Sequence, residues 1–249
     1  MSIADKLTTI AENQQAVYDA GYAQGQSQGG GGGGYDQGFE AGKQSQYNTF
    51  WDMFQQNGTR TNYRYAFYNT PWDDANFNPK YPLKIVGNAE YAFVGTTFVW
   101  ADKVLEVDLS QAASLFWSFR NNQFTRLGKC DLSSATNVNG TFSILPNLVE
   151  IEEIVSRADL PWDGTFYMCQ NLESITFSGV IGSNGLNFAN STRLNKASIA
   201  SIINALSTTT SGLSITLSKT AVTNAFGSTT ATEWTTLIGT KSNWTISLV

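Results

Sequence analysis

The chain has 249 residues and a net charge of −5, and its lysines and arginines form no cluster. This charge pattern argues against a nucleic-acid-binding groove, which requires clustered positive charge. Histidine is absent, which removes the commonest general base and the commonest metal ligand, so we expect neither a metal nor another cofactor. Charged residues are only 14 % of the chain, against about 25 % in typical soluble proteins, which favours an extracellular or virion protein.

Residues 2 to about 19 are predicted to form a helix that Ser2 caps. Its seam recurs in steps of four and three, as in a short coiled coil, at Ile3, Leu7, Ile10, Gln14 and Val17. So short a helix requires a packing surface, which is either another copy of the chain, with a trimer favoured, or the chain's own domain. The chain start lacks the pattern of a signal peptide, and no stretch reaches the roughly 18 apolar residues of a membrane span. We therefore expect no membrane insertion.

A flexible linker is predicted next, because residues 21–34 end in the glycine run Gly29–Gly34. A second helix is predicted over about residues 35–56, with a bulky aromatic face. The irregular aromatic stretch that follows, 59–82, is typical of a cap on the end of a repeat stack.

The central feature of the chain is a short unit that is used several times. In its clearest copy, Phe166 is followed six residues later by Leu172, nine later by Ile175 and eleven later by Phe177. The same frame begins at Phe98, Phe142 and Phe188, and at Phe119 with two residues inserted, which spaces the anchors 21, 23, 24 and 22 residues apart. A fixed period of this size predicts a solenoid of about five turns, and the alternating end of each unit predicts a short strand.

Two details of the repeat bear on its interior. Glu153 stands where the copy from Phe142 should have its last apolar strand residue. Cys130 and Cys169 fall at inward-facing positions, so we expect buried free thiols rather than a disulfide framework.

The last forty residues are predicted to form a closing cap. Ile199, Ile202, Ile203 and Leu206 share one helical face, and residues 213–217 and 244–248 alternate as strands around a helix over 229–240. The predicted fold is therefore α+β. It comprises a helical attachment region over 1–57, an aromatic N-terminal cap over 58–97, a repeat solenoid over 98–207 and an α/β C-terminal cap over 208–249.

The pattern Phe-x-x-Cys-x-x-Leu-x-x-Ile, complete from Phe166 with Cys169, resembles the BspA-like class of leucine-rich repeats over roughly residues 90–207. The segment Phe50-Trp-Asp-Met-Phe-Gln-Gln-Asn-Gly58 resembles a module common ahead of such repeats in proteins of phages and prophages of Gram-positive bacteria. The C-terminal ending is similar to the caps of phage-encoded repeat proteins. The resemblance implies a scaffold that binds surfaces rather than a catalyst.

Candidate ligand contacts are rigid aromatic rings near the repeat junctions, at Trp100, Trp117, Trp162 and Tyr167. Aromatic rings beside polar groups serve glycan and protein recognition, although each of these rings could instead fill the core between turns. Carboxylates at Asp73-Asp74 and Glu150-Ile-Glu152-Glu153 could in principle hydrolyse sugars, but a solvated loop and strand edge explain them better.

The sequence favours a non-catalytic phage structural protein on the particle surface, a fibre or receptor-binding protein that attaches to a host glycan or protein and contacts other virion proteins. The alternatives are a bacterial surface adhesin or interaction module and a capsid decoration protein. A glycan-degrading enzyme would require turnover that depends on a carboxylate pair.

Overall fold

The computed structural model describes residues 62–64, 66, 83–96 and 104–249. The predicted N-terminal helix with Ile3, Leu7, Ile10, Gln14 and Val17 lies outside these residues, as do the glycine linker, the second helix, most of the aromatic stretch and Phe98. Their predictions stay predictions.

Short strands and turns alternate through the first part of the described chain, and helices enter only near its end. The order is β1 (Leu83–Asn88), β2 (Val104–Leu105), β3 (Val107–Ser114), β4 (Arg126–Asp131), β5 (Glu150–Ser156), β6 (Ser174–Gly179), β7 (Asn187–Phe188), α1 (Lys196–Ala205), β8 (Leu213–Leu217), α2 (Lys219–Phe226), α3 (Thr232–Gly239) and β9 (Trp244–Leu248). The strands pair in the orders β1-β3, β2-β4-β5-β6 and β7-β8-β9, and every named pair is parallel.

The prediction of a repeat solenoid is confirmed by the register of the central sheet. Leu127 of β4 lies opposite Ile151 of β5, which lies opposite Ile175 of β6, and Leu105 of β2 extends the same row. All these side chains are buried, so one copy covers the apolar face of the next, which a single copy cannot do.

The register corrects the predicted alignment of two copies. Leu127 was expected to match Leu148, yet it pairs with Ile151. Phe124 holds the position of Leu148, because Thr125 and Val149, the residues that follow them, are joined by a backbone hydrogen bond of 2.8 Å. Phe124 is fully buried. The repeat pattern has a leucine at this position, and here a phenylalanine fills the same core space. Likewise Leu105, and not Val107, holds the isoleucine position of the first copy.

The turns repeat as regularly as the strands. Each of four turns has two residues with φ between 55° and 67°, four positions apart: Tyr91 and Gly95, Trp117 and Asn121, Gly140 and Ile144, and Gly164 and Met168. Backbone hydrogen bonds link consecutive turns, as from Phe119 N to Thr141 O (3.0 Å) and from Phe142 N to Thr165 O (3.1 Å). The turns therefore form a second parallel stack beside the strands.

One phenylalanine lies midway between the two left-handed residues of each turn, and these rings form a continuous stack through the core. The centroids of Phe93, Phe119, Phe142, Phe166 and Phe188 are separated in turn by 5.1, 5.9, 5.9 and 4.9 Å. All five rings are buried. The ring beside Phe119 is Phe93, which the predicted period did not include, so the described turns begin within 83–96.

The irregular strand position at Glu153 is resolved by one extra residue. The register of β5 against β6 shifts between Ile151 and Ile154, so Ile154 lies opposite Phe177. Ile154 is buried, whereas Glu153 faces outward and forms an ion pair with Lys129 at 2.9 Å. The bulge thus keeps an apolar side chain in the core where the simple pattern placed a carboxylate.

The fifth copy departs from the prediction of a strand. After Phe188 the chain forms α1, because the side chain of Asn195 accepts a hydrogen bond from Ser198 N at the start of the helix. Ile199, Ile202 and Ile203 are buried as predicted, but Ala197, expected to face inward, is exposed.

The C-terminal cap contains one helix more than predicted. The helix α2, which Ser218 caps, was missed because only Ala221 and Val222 of its eight residues are buried, too few to give an apolar period. The strands β8 and β9 are confirmed, and the predicted helix over 229–240 is confirmed as the shorter α3.

Both cysteines are free and buried, as predicted. Burial raises the pKa of the Cys130 thiol, and the nearby Glu106 carboxylate adds to this effect. Burial also raises the pKa of Cys169 to about 12; its Sγ donates to Phe142 O at 2.9 Å. Among the residues that the structure describes, no helix is both long and apolar enough to cross a membrane.

Candidate functional site

The stacked turns present one continuous face to solvent, and its two ends differ. At the N-terminal end the ring of Trp117 stacks on Phe116 at 5.1 Å and meets Tyr91 edge-on at 5.6 Å. The guanidinium carbon of Arg120 lies 4.3 Å from the centre of the Trp117 ring. These contacts hold Trp117 half-buried against its own turn.

Glycine takes the corresponding left-handed position in the next two turns. At Gly140 a Cβ would collide with the Trp117 ring, so this glycine lets the ring lie flat over the third turn. At Gly164 a Cβ would meet no atom within 4 Å. The face is therefore filled by an indole at one end and left open at the other.

The open end forms a depression of about 250 Å³ between the fourth turn and the C-terminal cap. The fourth turn supplies Asp163, Gly164 and Tyr167, and the cap side supplies the rest of the lining, namely Gly185, Leu186, Asn187, Asn190, Ser214 and Thr216. The side chain of Tyr167 is 49 % exposed. Its ring stacks on no other ring of the described residues, so about half of the side chain is open to solvent.

The polar groups around the depression are only partly used by the protein. The Oδ1 atoms of Asn187 and Asn190 accept from the backbone N–H groups of Ala189 (2.8 Å) and Met168 (3.5 Å). Within the part of the chain that the structure describes, their amide NH₂ groups have no hydrogen-bond partner, and neither does the carboxylate of Asp163. Two amide NH₂ groups and one carboxylate are thus left for a ligand.

Gly185 allows the fourth turn and the segment that faces it across the depression to approach each other closely. This residue has φ of 99°, and a Cβ here would collide with Oδ1 of Asp163. Glycine is required on both counts, since it tolerates the left-handed region and leaves room for the carboxylate. The loop before β7 can therefore pass directly beside Asp163.

The electrostatic character of the lining is simple. Asp163 is the charged residue of the lining, and no lysine or arginine of the described chain lines the depression. A carboxylate without a cationic neighbour repels anions, and the amides and hydroxyls around it exchange hydrogen bonds with uncharged polar groups. The arrangement suits a neutral, hydroxyl-rich ligand.

The four aromatic residues that the sequence predicted as ligand contacts differ in their location in the structure. Tyr167 lies at the depression, as a surface contact must, and Trp117 lies on the same face but is packed under Arg120. Trp100 lies outside the described residues. The prediction for Trp162 is corrected: its ring is fully buried between Phe166 and Phe177, at 6.5 and 5.9 Å, so it fills the core and cannot touch a ligand.

Sequence reasoning missed the polar half of the site. Asp163, Asn187 and Asn190 follow the repeat anchors at no fixed offset, and Ser214 and Thr216 come from β8. The one local signal was the pair of glycines at 164 and 185, each beside a polar residue. The carboxylates of Glu150 and Glu153 are engaged in ion pairs with Arg126 (2.6 Å) and Lys129. Asp73 and Asp74 lie outside the described residues.

Within the described ranges, no three His, Cys, Asp or Glu side chains come together in a way that could hold a metal ion. The chain matches no protein-family model, no curated protein and no solved structure.

Proposed function

We propose that this protein is a non-catalytic structural protein of a phage particle, a fibre or receptor-binding protein that attaches the particle to the surface of its bacterial host. The observation that carries the proposal is the half-exposed ring of Tyr167 beside a depression whose polar groups lack protein partners. A rigid aromatic ring with oriented polar neighbours is the usual composition of a recognition site.

The scaffold supports the same reading. The site stands on turns that are tied to one another by backbone hydrogen bonds, such as that from Ile144 N to Tyr167 O at 2.7 Å. Such a scaffold loses little conformational entropy when a ligand binds, so weak contacts yield more affinity than they would on a mobile loop. Several copies on one particle would add avidity.

The test of this function is location and attachment. Particles induced from the bacterium that carries the gene are purified and probed with an antibody against residues 104–249. We expect label at the particle's tail and binding of the purified full chain to host cells. Label in the cell envelope of uninduced cells would favour a bacterial adhesin, and uniform label over the head would favour capsid decoration.

Assembly is the second part of the proposal: the predicted helix with Ile3, Leu7, Ile10, Gln14 and Val17 joins copies of the chain, with a trimer favoured, or docks on another virion protein. The solution mass of the full chain is compared with that of a chain that begins at Tyr47. A trimer that becomes a monomer on shortening supports self-assembly. Monomers in both cases would direct the search to a docking partner on the particle.

We also propose that the solenoid belongs to the leucine-rich-repeat class and has a fifth turn. Support comes from the inward row of Leu105, Leu127, Ile151 and Ile175 and from Phe188, which continues the ring stack. A crystal structure of the full chain tests this by showing whether Phe98 or Phe93 opens the first turn and whether the turn from Phe188 completes a fifth copy of the repeat.

A further inference from the structure

We infer that the depression beside Tyr167 binds an uncharged saccharide, with one sugar ring packed on the Tyr167 ring and its hydroxyls held by Asp163, Asn187 and Asn190. This inference rests on the proposed attachment function and names the ligand class of that site. It follows from the lining's size, polarity and charge.

The size of the depression fits a small polar ligand. Its volume of about 250 Å³ lies just below the roughly 300–1,000 Å³ of sites for drug-sized ligands. Tyr167 offers a flat, exposed surface at its rim. Because the face of an aromatic ring carries partial negative charge, it attracts the polarised C–H groups on one side of a sugar ring.

The hydrogen-bonding groups fit a polyol. A sugar hydroxyl both donates and accepts, and the depression presents the Asp163 carboxylate as an acceptor and the NH₂ groups of Asn187 and Asn190 as donors. Since the amide oxygens of both asparagines are already bonded to backbone N–H groups, the orientation of these donors is set before a ligand arrives. Such preorganisation lowers the entropic cost of binding.

The charge of the lining excludes anionic polymers as the preferred ligand. Asp163 is the charged group of the lining, and among the residues that the structure describes no lysine or arginine of the lining offsets it. A phosphate, sulfate or carboxylate in the depression would lie against this carboxylate without a cation to balance it. The saccharide that fits is therefore neutral.

A protein partner fits the site less well. Hot spots of protein interfaces are apolar and aromatic pockets, often with arginine. Here the bulky aliphatic member of the lining, Leu186, is 1 % exposed, and most of the remaining side chains are polar. Binding of a peptide is kept as an outcome of the test.

The experiment measures binding of the full chain in two ways. Immobilised oligosaccharides report affinity, and saturation-transfer NMR detects contact with oligosaccharides in solution. The neutral probes are oligomers of glucose, galactose, rhamnose and N-acetylglucosamine. The anionic probes are sialylated and sulfated oligosaccharides and poly(glycerol phosphate), and host surface proteins stripped of glycans are the peptide probe. We expect at least one neutral probe to bind and the anionic probes to bind at least tenfold more weakly.

The variants locate the contact. Tyr167→Ala should weaken binding of the neutral probe about tenfold, whereas Tyr167→Phe should stay within about twofold, because the ring and not the hydroxyl supplies the surface. Val180→Ala is the matched control, since Val180 is a similarly exposed apolar residue (43 %) and does not line the depression. Asp163→Asn should weaken the neutral probe several-fold and should reduce the preference over the anionic probes, because it removes the charge that repels them.

Two glycine variants distinguish the effect of filling the depression from the effect of backbone strain at a left-handed position. Gly164 and Gly227 both have positive φ, 65° and 84°, and a Cβ at either would meet no atom within 4 Å. Gly164→Ala adds a methyl group to the depression and should weaken saccharide binding at least fivefold. Gly227→Ala adds the same methyl group at the end of α2 and should leave binding unchanged. Thermal unfolding of each variant verifies the fold.

The inference is overturned if no neutral probe binds, if anionic or protein probes bind best, or if Tyr167→Ala binds the neutral probe as tightly as the unchanged protein. Failure of the attachment function is seen separately. A protein that binds host cells equally well with Tyr167→Ala keeps the proposed function and loses this site. A protein that binds neutral saccharides through Tyr167 but never associates with particles keeps the site and loses the function.

Discussion

The stacked turns and the C-terminal cap are stabilised in contrasting ways. In the turns one contact recurs, as where Phe142 stacks on Phe119 and on Phe166 with the same spacing of 5.9 Å. In the cap each contact occurs once: the ring of Phe226 meets that of Trp234 at 5.4 Å, and single side chains donate to backbone carbonyl oxygens. Lys241 Nζ donates to Asn204 O (3.0 Å) and Leu206 O (2.5 Å), and Trp244 Nε1 donates to Ser207 O (2.9 Å).

This difference shows how a repeat stack ends. Each turn satisfies its backbone through the next turn, so the last one requires groups from outside the repeat. The side chains of Lys241, Asn243 and Trp244 provide them by bonding carbonyl oxygens at the end of α1 and just after it. The turns thus repeat the same ring stacking and backbone hydrogen bonds from copy to copy, whereas the cap adds hydrogen bonds that individual side chains donate to the backbone.

The largest expected effect tests the ring stack. Phe142→Ala removes a fully buried ring with two stacked neighbours, and we expect the free energy of unfolding to fall by about 3–5 kcal/mol. Phe226→Ala in the cap is the comparison, since that ring is half-buried and contacts Trp234 at 5.4 Å; it should cost about 1–2 kcal/mol. Urea unfolding measures both. Equal losses would show that the turns have no special dependence on their rings.

The cap's polar contacts are tested by Lys241→Met, which keeps most of the side chain's length and removes the donor. The buried carbonyl of Leu206 and the partly buried carbonyl of Asn204 then lose a partner, and we expect a loss of about 1–3 kcal/mol in the free energy of unfolding. Lys219→Met, at an exposed helix start, should change it by no more than about 0.5 kcal/mol. An unchanged stability in Lys241→Met would mean that apolar packing alone holds the cap.

The thiols of the turns make stability depend on pH. Burial raises the pKa of Cys169 to about 12 and raises that of Cys130 as well, so both thiols hold their protons more tightly in the folded chain. The stability that each thiol contributes to the folded chain is fully present below the pKa of an unfolded-chain cysteine, about 8.5. It is lost as the pH rises toward the pKa of the thiol in the folded chain, at about 1.4 kcal/mol per pH unit for each thiol.

Urea unfolding between pH 8 and pH 10 should therefore show stability falling with pH, and a Cys130→Ala, Cys169→Ala double variant should show a smaller slope. Lys241 has the opposite effect on the pH dependence. Because burial lowers its pKa, the folded chain binds this proton less tightly than the unfolded chain, and the contribution of Lys241 to the free energy of unfolding rises with pH over the alkaline range. A double variant with the slope of the unchanged protein would contradict the assignment to the thiols.

The smallest expected effect concerns the outer face of the sheet. Glu150→Gln breaks the ion pair between Glu150 and Arg126. The side chain of Arg126 is 43 % exposed and that of Glu150 is 30 % exposed. Solvent and salt screen such a pair, so we expect a loss of about 0.2–1 kcal/mol that decreases as salt is added. A double-mutant cycle with Arg126→Gln isolates the pair. A coupling above about 2 kcal/mol would place this surface ladder among the main stabilising contacts of the turns.

Much of the repeat was predictable because its contacts follow the chain. Phe142, Phe166 and Phe188 could be identified as core rings from their spacing alone, and Ile151 and Ile175 as inward strand residues. Phe93 and Phe124 could not, since one lies off the period and the other replaces a leucine. The candidate site was likewise predictable only in part. Tyr167 lies at a repeat junction and could be identified from the sequence, whereas the repeat pattern does not include Asp163 and Asn190.

The sequence by itself determined that apolar residues at near-constant spacing must stack turn upon turn, because one copy cannot bury its own apolar face. It also determined two buried thiols and a cap of strands and helices. Only the tertiary structure decided that β5 bulges at Glu153, that Trp162 points inward and that Gly185 passes beside Asp163. These outcomes depend on which neighbour occupies the adjacent space, and residues far apart in the chain compete for that space in ways that no local pattern records.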